Sequence, residues 1–374
     1  MEISESLLTA REKAVWRLKA LAARHGYAQY PMRRFEEYAL YQENKSFLRN
    51  GQVLAFPTPD GRLMALKPDV TLSLVKHSRA TQQSVEKLYY TESVYRIEAG
   101  SHELKQIDQM GVEYLGAVDE YATLEVLRLA LECLKTVRER VVLELGHMGF
   151  IGGLMKLAAL EGETQSEVFA LIRQKNSHEL RAVLDRTPLS QAMREMIVQL
   201  PHLAGPAAEV LPRARQMCVA PGMEEALREL SAQVALLEKL GYGADVRLDF
   251  SILNDLDYYN GLVFRGYVEG APRAALSGGR YDNLMRRMEK NGAGIGFALY
   301  LDAVARLIGG DGCDIDVLVL YAPGDDPAAV SEAVEQLSAQ GLRVLAAGAS
   351  AVGRQAGKTL RFTKDGLKEV RARA

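Results

Sequence analysis

Polar and aromatic side chains that could hold a small molecule crowd around glycines in residues 253–303. Two strand-like runs, 258–268 and 274–277, precede a Gly278-Gly279 pair at which we expect the backbone to turn sharply. Strand ends of this kind commonly line a pocket that combines apolar walls with a few aimed polar groups. The segment therefore predicts a small-molecule site. The polar residues concerned are Tyr258, Tyr259, Asn260, Arg280, Tyr281 and Asp282.

A candidate acid, Asp69, stands in the run LKPDVT just before a helix that we predict to begin near Leu72. A carboxylate there could contact a ligand or cap the helix. An aspartate before a helix more often caps the helix by accepting a backbone N–H. The sequence favours the cap and leaves the ligand contact open.

Alternation along the predicted strand 105–116 places Gln109, Gly111 and Glu113 on one face, opposite an apolar face. On the preceding predicted strand, 86–98, the same period puts Arg96 on a face with other polar residues. A face that carries glutamine, glycine and glutamate is either exposed to solvent or lines a binding site. Strand statistics alone favour exposure.

The composition argues against several classes of protein. The 374 residues suffice for two or three domains, and Lys+Arg 46 against Asp+Glu 48 give no net basic field for a nucleic acid. The 3 cysteines are far apart and predict free thiols, and none of the 6 histidines has a partner at a metal-ligand spacing. No apolar run reaches the roughly 18 residues of a membrane helix, and no signal peptide is recognisable. We therefore expect a cytoplasmic protein without metal or cofactor.

Hydrophobic periodicity predicts the elements that position these residues. A helix over 7–23 ends at Gly26, and a hairpin over 51–66 turns at Pro59-Asp60-Gly61. A second hairpin pairs the two strands named above. A helix over 119–137 and a strand over 141–145 follow it.

Two further regions complete the predicted organisation. Residues 151–241 form a helical insertion within a main domain over 1–310, and residues 311–374 form a small C-terminal α/β unit. The basic end from residue 358 onward is interpreted as a solvated tail. The expected helices of the insertion lie near 166–174, 178–185, 189–199, 207–216 and 223–240. The expected elements of the C-terminal unit are a strand over 316–321, a helix over 327–340 and a strand over 342–346.

Several motifs together resemble histidyl-tRNA synthetase, a class II aminoacyl-tRNA synthetase. LDYYNGLVF and SGGRYDNL resemble its histidine-recognition segments, and GIGFALYLDA resembles its motif 3. YRIE at 95–98, followed by Gln109-x-Gly-x-Glu113, resembles motif 2, and the extended segment around Pro31 resembles motif 1, the dimer interface of that class. The resemblance covers about residues 5–310. It implies an α+β fold in which helices flank a class II synthetase-like antiparallel sheet.

The departures from the synthetase pattern concern its phosphate-binding arginines. Asn254, Glu103 and Ala303 stand where the synthetase has arginine, and Arg96 is the matched one. At the end of motif 3, Tyr300 begins the run Tyr-Leu-Asp-Ala where the synthetase has Gly-Leu-Glu-Arg. Loss of one preorganised electrostatic donor lowers a rate by about 10²–10³. The resemblance thus implies a retained pocket without adenylation chemistry.

This pattern resembles the family of regulatory subunits of ATP phosphoribosyltransferase, which are paralogues of histidyl-tRNA synthetase. It implies a homodimer within a hetero-oligomer with the short-form catalytic subunit, feedback inhibition by L-histidine, and no nucleic-acid or membrane partner. A divergent amino-acid-activating synthetase and a binding module with another partner remain alternatives. The histidine-binding residues implied by the resemblance are Asp69, Arg96, Gln109, Glu113, Tyr259 and Tyr281.

Overall fold

Residues 8–45, 48, 53–97, 103–253, 258–308, 315–348 and 356–370 are described by the computed structural model of the protein. Their contacts form two compact units, which are considered separately. The larger comprises the described residues of Arg17–Ala303, and the smaller comprises those of Met1–Trp16 and Val304–Ala374. The predicted boundary between residues 310 and 311 lies outside the described residues.

The larger unit is built on a mixed but mainly antiparallel sheet. Nine of the described strands pair in the order β1-β5-β6-β12-β11-β10-β7-β9-β8, and β2-β4-β3 form a separate small sheet. Only the β1/β5 and β7/β9 pairs among these are parallel. The strands are β1 (Ala28–Gln29), β2 (Phe35–Glu37), β3 (Ala55–Pro57), β4 (Leu63–Leu66), β5 (Val85–Ile97), β6 (Leu104–Gly116), β7 (Val141–His147), β8 (Ala204–Gly205), β9 (Val246–Asp249), β10 (Leu262–Val268), β11 (Leu276–Arg280) and β12 (Ala293–Tyr300).

Helices accompany this sheet, so the predicted α+β class is confirmed. Asp119 begins the helix that packs on β7, β10 and β12, because its carboxylate accepts the N–H of Ala122 at 2.8 Å. The helices with residues in the larger unit are α1 (Ala10–Arg24), α2 (Tyr38–Glu43), α3 (Thr71–His77), α4 (Glu120–Lys135), α5 (Met148–Ala158), α6 (Gly162–Arg173), α7 (Ser177–Leu184), α8 (Gln191–Gln199), α9 (Ala207–Gln216), α10 (Pro221–Lys239), α11 (Asp282–Arg287) and α12 (Leu301–Ile308).

The predicted hairpins and the helical insertion are present. Gly61 has φ +82° in the turn between β3 and β4, and β5 pairs with β6 along the whole of both strands. The helices α6 to α10 lie close to their predicted ranges. Helix α5 was not predicted; it begins where His147 Nδ1 accepts the N–H of Gly149 at 3.1 Å.

The interpretation of Gly278-Gly279 as a sharp turn is wrong. Both glycines lie inside β11, and neither has a positive φ. Close approach explains them instead. A Cβ at Gly278 would lie 2.3 Å from the carbonyl oxygen of Gly296, and one at Gly279 would lie 2.6 Å from the ring of Tyr259.

The smaller unit contains a second sheet, of order β14-β13-β15-β16, in which the first three strands are parallel. The interpretation of the chain end as a solvated tail is wrong, because residues 356–369 form two paired strands that complete this sheet. Val317, Val319 and Leu360 are buried at its core. The elements are β13 (Ile315–Tyr321), α13 (Pro327–Ser338), β14 (Val344–Gly348), β15 (Ala356–Thr363) and β16 (Gly366–Glu369).

Candidate functional site

One face of four neighbouring strands forms the floor of a cavity in the larger unit. Residues that are register partners project from the same face, as do alternate residues along each strand. The face predicted to carry Gln109, Gly111 and Glu113 is therefore continuous with faces of β5, β11 and β12. Its residues are Tyr90, Glu92 and Arg96 of β5, Gln109, Gly111 and Glu113 of β6, Ser277 and Gly279 of β11, and Gly294, Gly296, Ala298 and Tyr300 of β12.

Glycines on this floor allow cavity-lining side chains to lie directly against the backbone. A Cβ at Gly111, Gly294 or Gly296 would lie 2.3, 2.2 or 1.8 Å, respectively, from such a side chain. Real Cβ contacts are never so short, so any larger residue would displace the side chain above it. These side chains are, in the same order, Tyr90, Tyr281 and Glu113.

Glu113 is the buried acid of the cavity, with 2% of its surface exposed. Thr71 Oγ1 donates to its Oε1 at 2.8 Å, and the Tyr281 hydroxyl donates to its Oε2 at 2.5 Å. Burial raises the pKa of Glu113 to about 8, although the hydrogen bonds from Tyr281 and Thr71 act to lower it. The group is therefore mostly protonated at neutral pH.

Three tyrosines form an aromatic wall beside Glu113. The ring centroids of Tyr258 and Tyr259 are 4.5 Å apart, and those of Tyr259 and Tyr281 are 6.5 Å apart. Burial is the main cause that raises the pKa of Tyr258 and of Tyr281, so both hydroxyls stay neutral and can donate or accept hydrogen bonds.

Asp69 both caps a helix and lines the cavity. Its Oδ1 accepts the N–H of Leu72 at 2.9 Å in the first turn of α3, as the sequence favours. The same side chain faces the cavity, and its charge contributes to the raised pKa of Glu113, after the larger effect of burial. A helix cap and a ligand contact, the two roles that the sequence left open for Asp69, are therefore compatible.

The far end of the cavity carries Arg96, Gln109 and Tyr300. Arg96 Nε donates to the carbonyl oxygen of Pro68, the residue before Asp69, at 3.0 Å, which fixes the position of the guanidinium. Gln109 is buried, with 5% exposed. The Tyr300 hydroxyl and Ser277 Oγ are hydrogen-bonded at 2.7 Å.

The cavity has an empty volume of about 800 Å³, part of which is open to solvent. Every histidine-binding residue implied by the sequence lies in its lining: Asp69, Arg96, Gln109, Glu113, Tyr259 and Tyr281. That they bind a ligand remains a prediction. Lining residues not included in that set are Leu48, Pro68, Thr71, Tyr90, Tyr258, Ser277, Gly296, Phe297, Ala298 and Tyr300.

For some lining residues outside the predicted set, strand alternation in the sequence indicates their position. Tyr90 and Tyr300 occupy the same alternating faces as Arg96 and Gly296, so extending the period along each strand would have found them. Thr71 ends the run LKPDVT that also contains Asp69, but only the tertiary approach of α3 to β6 shows that its hydroxyl reaches Glu113.

Three residues grouped with the tyrosines in the sequence lie elsewhere. Arg280 follows Gly279 on β11 and so projects from the opposite face, where its Nε donates to Asp282 Oδ2 at 2.9 Å. Arg280, Asp282 and Asn260 line a second cavity, together with His147. In that cavity His147 Nε2 lies 3.1 Å from Glu229 Oε2, and Arg280 lies 3.5 Å from the other oxygen of Glu229.

Positive charge is sparse in the cavity over Glu113. Arg96 is the one cationic side chain among its described lining residues. Glu103 and Ala303 are not in that lining, and Asn254 lies outside the described residues. In the described parts of the chain there is also no group of three or more potential metal ligands and no helix with the length and apolar character of a membrane span.

Comparison with known proteins extends these observations. The family model for histidyl-tRNA synthetase matches residues 2–304. The ATP phosphoribosyltransferase regulatory subunit of Chromohalobacter salexigens is 33% identical over 295 residues, which cover 77% of this chain and 74% of that protein.

Solved structures share the fold. A protein from Bacillus halodurans, described as an ATP phosphoribosyltransferase regulatory subunit/histidyl-tRNA synthetase, matches with a TM-score of 0.72 and 22% identity over 94% of this chain and 93% of that chain. A chain of the ATP phosphoribosyl transferase (HisG:HisZ) complex from Thermotoga maritima matches with a TM-score of 0.61 and 21% identity over 77% of this chain and 96% of that chain. At these identities the likeness concerns the fold, and it confirms the class II synthetase-like architecture expected from the motifs.

Proposed function

The chain belongs to the family of ATP phosphoribosyltransferase regulatory subunits and carries a histidyl-tRNA synthetase domain, and on this premise we propose that it is a non-catalytic regulatory subunit of ATP phosphoribosyltransferase. In this role it joins a short-form catalytic subunit that performs the first step of histidine biosynthesis. It supports the activity of that subunit and transmits feedback inhibition by histidine.

The observation that carries the proposal is a cavity whose charges complement an amino acid. Asp69 and Arg96 present opposite charges, while Glu113, with its pKa raised by burial to about 8, is mostly neutral. The Asp69 carboxylate can accept hydrogen bonds from the ammonium group, and the Arg96 guanidinium can donate hydrogen bonds to the carboxylate. Glu113, Gln109 and the hydroxyls of Tyr259 and Tyr281 remain to hydrogen-bond an imidazole. Free L-histidine is therefore the proposed ligand.

The non-catalytic part of the proposal follows from electrostatics. Activation of an amino acid by ATP needs positive charge around the phosphates. The described lining supplies Arg96 alone, and the other phosphate-binding positions hold Asn254, Glu103 and Ala303. We therefore expect no histidine-dependent ATP–pyrophosphate exchange.

The proposed assembly has two contacts. The HisG:HisZ complex of Thermotoga maritima, which shares the fold, supports pairing with a catalytic subunit. We also propose a homodimer, because the segment around Pro31 resembles a class II dimer interface. The adjacent Phe35 is 43% exposed, as expected of an apolar side chain that a second copy covers.

The decisive experiment is reconstitution with a short-form catalytic subunit. We expect the phosphoribosyltransferase rate to rise when this chain is added, and histidine to inhibit only the complex. Asp69→Asn keeps a side chain that caps helices equally well but removes the charge that receives the ammonium group. This variant should still activate the catalytic subunit and should need at least about tenfold more histidine for inhibition, which corresponds to a loss of about 1.4 kcal/mol in histidine binding.

Glu167→Gln, on the exposed surface of α6, is the matched charge-removing control and should behave as the unmodified chain. The proposal fails if the chain neither binds nor activates the catalytic subunit. Histidine-dependent pyrophosphate exchange at an ordinary enzymatic rate, about 1–10³ per second, would instead indicate a divergent synthetase.

A further inference from the structure

Tyr300 forms an end wall on the cavity floor. Along β12 the residues that face the cavity increase in size from Gly296 through Ala298 to Tyr300. At about 3.4 Å per residue, Tyr300 lies roughly 14 Å along the strand from Gly296, beside which Glu113 is buried. The floor therefore carries no side chain at Gly296, next to Glu113, and the phenol ring of Tyr300 closes its other end.

The position of Ser277 shows which way this ring leans. Ser277 pairs with Ala298, two residues before Tyr300, and is therefore the diagonal neighbour of Tyr300 across the two strands. The 2.7 Å hydrogen bond between their hydroxyl groups holds the ring back along the strands towards Ser277, and the ring lines the cavity. Without that ring, the floor would continue as the small residues Ala298 and Ser277.

Arg96 lies towards the same end of the cavity. Tyr300 pairs with Gln109, Gln109 pairs with Glu92, and Arg96 stands four residues further along β5 from Glu92. A ligand whose carboxylate contacts Arg96, and whose other end approaches Glu113, therefore directs its carboxyl group towards the Tyr300 wall. Any group joined to that carboxyl carbon would meet the ring.

We propose that Tyr300, held by Ser277, restricts the cavity to free amino acids and excludes an amino acid joined through its carboxyl group to a nucleotide. This inference rests on the proposed function, since it takes histidine as the ligand. It adds steric exclusion of the activated form to the absence of phosphate-binding charge. The two effects are separable because the ring can be removed without adding an arginine.

The test compares two ligands on three forms of the full chain by titration calorimetry. The ligands are L-histidine and histidyl-sulfamoyl-adenosine, a stable mimic of an aminoacyl adenylate. Tyr300→Phe keeps the ring and loses the hydroxyl, whereas Tyr300→Gly removes the ring. Unfolding curves of each variant establish that it is folded, and Tyr300→Ala serves if the glycine variant is not.

The unmodified chain should bind histidine at least about 100-fold more tightly than the adenosine conjugate, a discrimination expected of a built-in clash. Tyr300→Phe should retain most of that preference. Tyr300→Gly should bind the conjugate at least about tenfold more tightly than the unmodified chain, with histidine affinity changed by less than about threefold, about 0.6 kcal/mol.

The outcomes that would overturn the inference differ from those that would overturn the proposed function. If histidine binds and the unmodified chain accepts the conjugate equally well, or if ring removal leaves the conjugate excluded, Tyr300 is not the determinant. If histidine binds neither the folded chain alone nor its complex with the catalytic subunit, the proposed ligand is wrong and the inference falls with it.

Discussion

Replacement of Glu113 by glutamine should change how the stability of the protein depends on pH. Burial raises the pKa of this carboxyl from its ordinary value of 4.5 to about 8 in the folded protein. Between these two values the unfolded chain has lost the proton while the folded chain retains it. Because the folded state then binds more protons, the free energy of unfolding falls as pH rises through this window.

The size of the effect follows from one proton per molecule. One proton bound in excess by the folded state corresponds to about 1.4 kcal/mol per pH unit. From pH 5.5 to 7.5 the contribution of Glu113 should therefore fall by roughly 2.7 kcal/mol. Glu113→Gln keeps an oxygen that can accept from Thr71 or Tyr281 and carries no titrating proton, so its curve should lack this slope.

Urea unfolding at several pH values between about 5 and 8 measures the difference, with the tyrosine environment of the larger unit as the fluorescence signal. Other groups also titrate in this range; burial raises the pKa of Glu144, for example. Only the difference between the unmodified chain and Glu113→Gln isolates one carboxyl, and Glu167→Gln controls for the loss of a surface charge. Parallel pH profiles for the unmodified chain and Glu113→Gln would refute the assignment of a buried, protonated Glu113.

Three further predictions concern the same unit. Gly296→Ala should lower the free energy of unfolding by about 1–3 kcal/mol, as overpacking does, because its Cβ would lie 2.4 Å from the carbonyl oxygen of Val112 and also against Glu113. Denaturant unfolding measures this loss, and an unchanged midpoint would contradict the packing. Asp119→Ala removes the cap of α4 and should cost about 0.5–2 kcal/mol, whereas Asp119→Asn should recover most of it; equal losses for the two would show that the cap is not the cause. Histidine at about 100 times its dissociation constant should stabilise the fold by roughly 2.7 kcal/mol, seen as a higher melting temperature that Glu167→Gln retains and Asp69→Asn reduces; no shift at saturation would count against histidine.

The sequence was most informative where a geometric rule fixes the answer. Strand alternation alone places Gln109, Gly111 and Glu113 on one face, and the structure extends that face across three more strands. The sequence could not show that this face is covered by other residues rather than exposed to solvent. The cover comes from Thr71 and from Tyr258 and Tyr259, which are distant in the chain and reach the face only through tertiary packing.

The errors have the same origin. A glycine pair is a common turn signal. Gly278 and Gly279 are instead required because atoms of Gly296 and Tyr259 leave no space for a Cβ, and no local sequence pattern reveals that contact. At the chain end, the positive charge favoured a tail, although the segment also contains an alternating strand and Gly366, which has φ +107° and directly follows the hairpin turn.

The glycines beneath the cavity have a consequence for comparing this protein with its relatives. Gly111, Gly279, Gly294 and Gly296 each provide the space in which a cavity-lining side chain rests. One added methyl group at any of these four positions would displace that side chain while leaving every polar residue of the cavity unchanged. A relative can therefore keep all the candidate ligand contacts and still have lost the pocket. Glycine at these positions is as informative a marker of a working site as the acids and tyrosines above them.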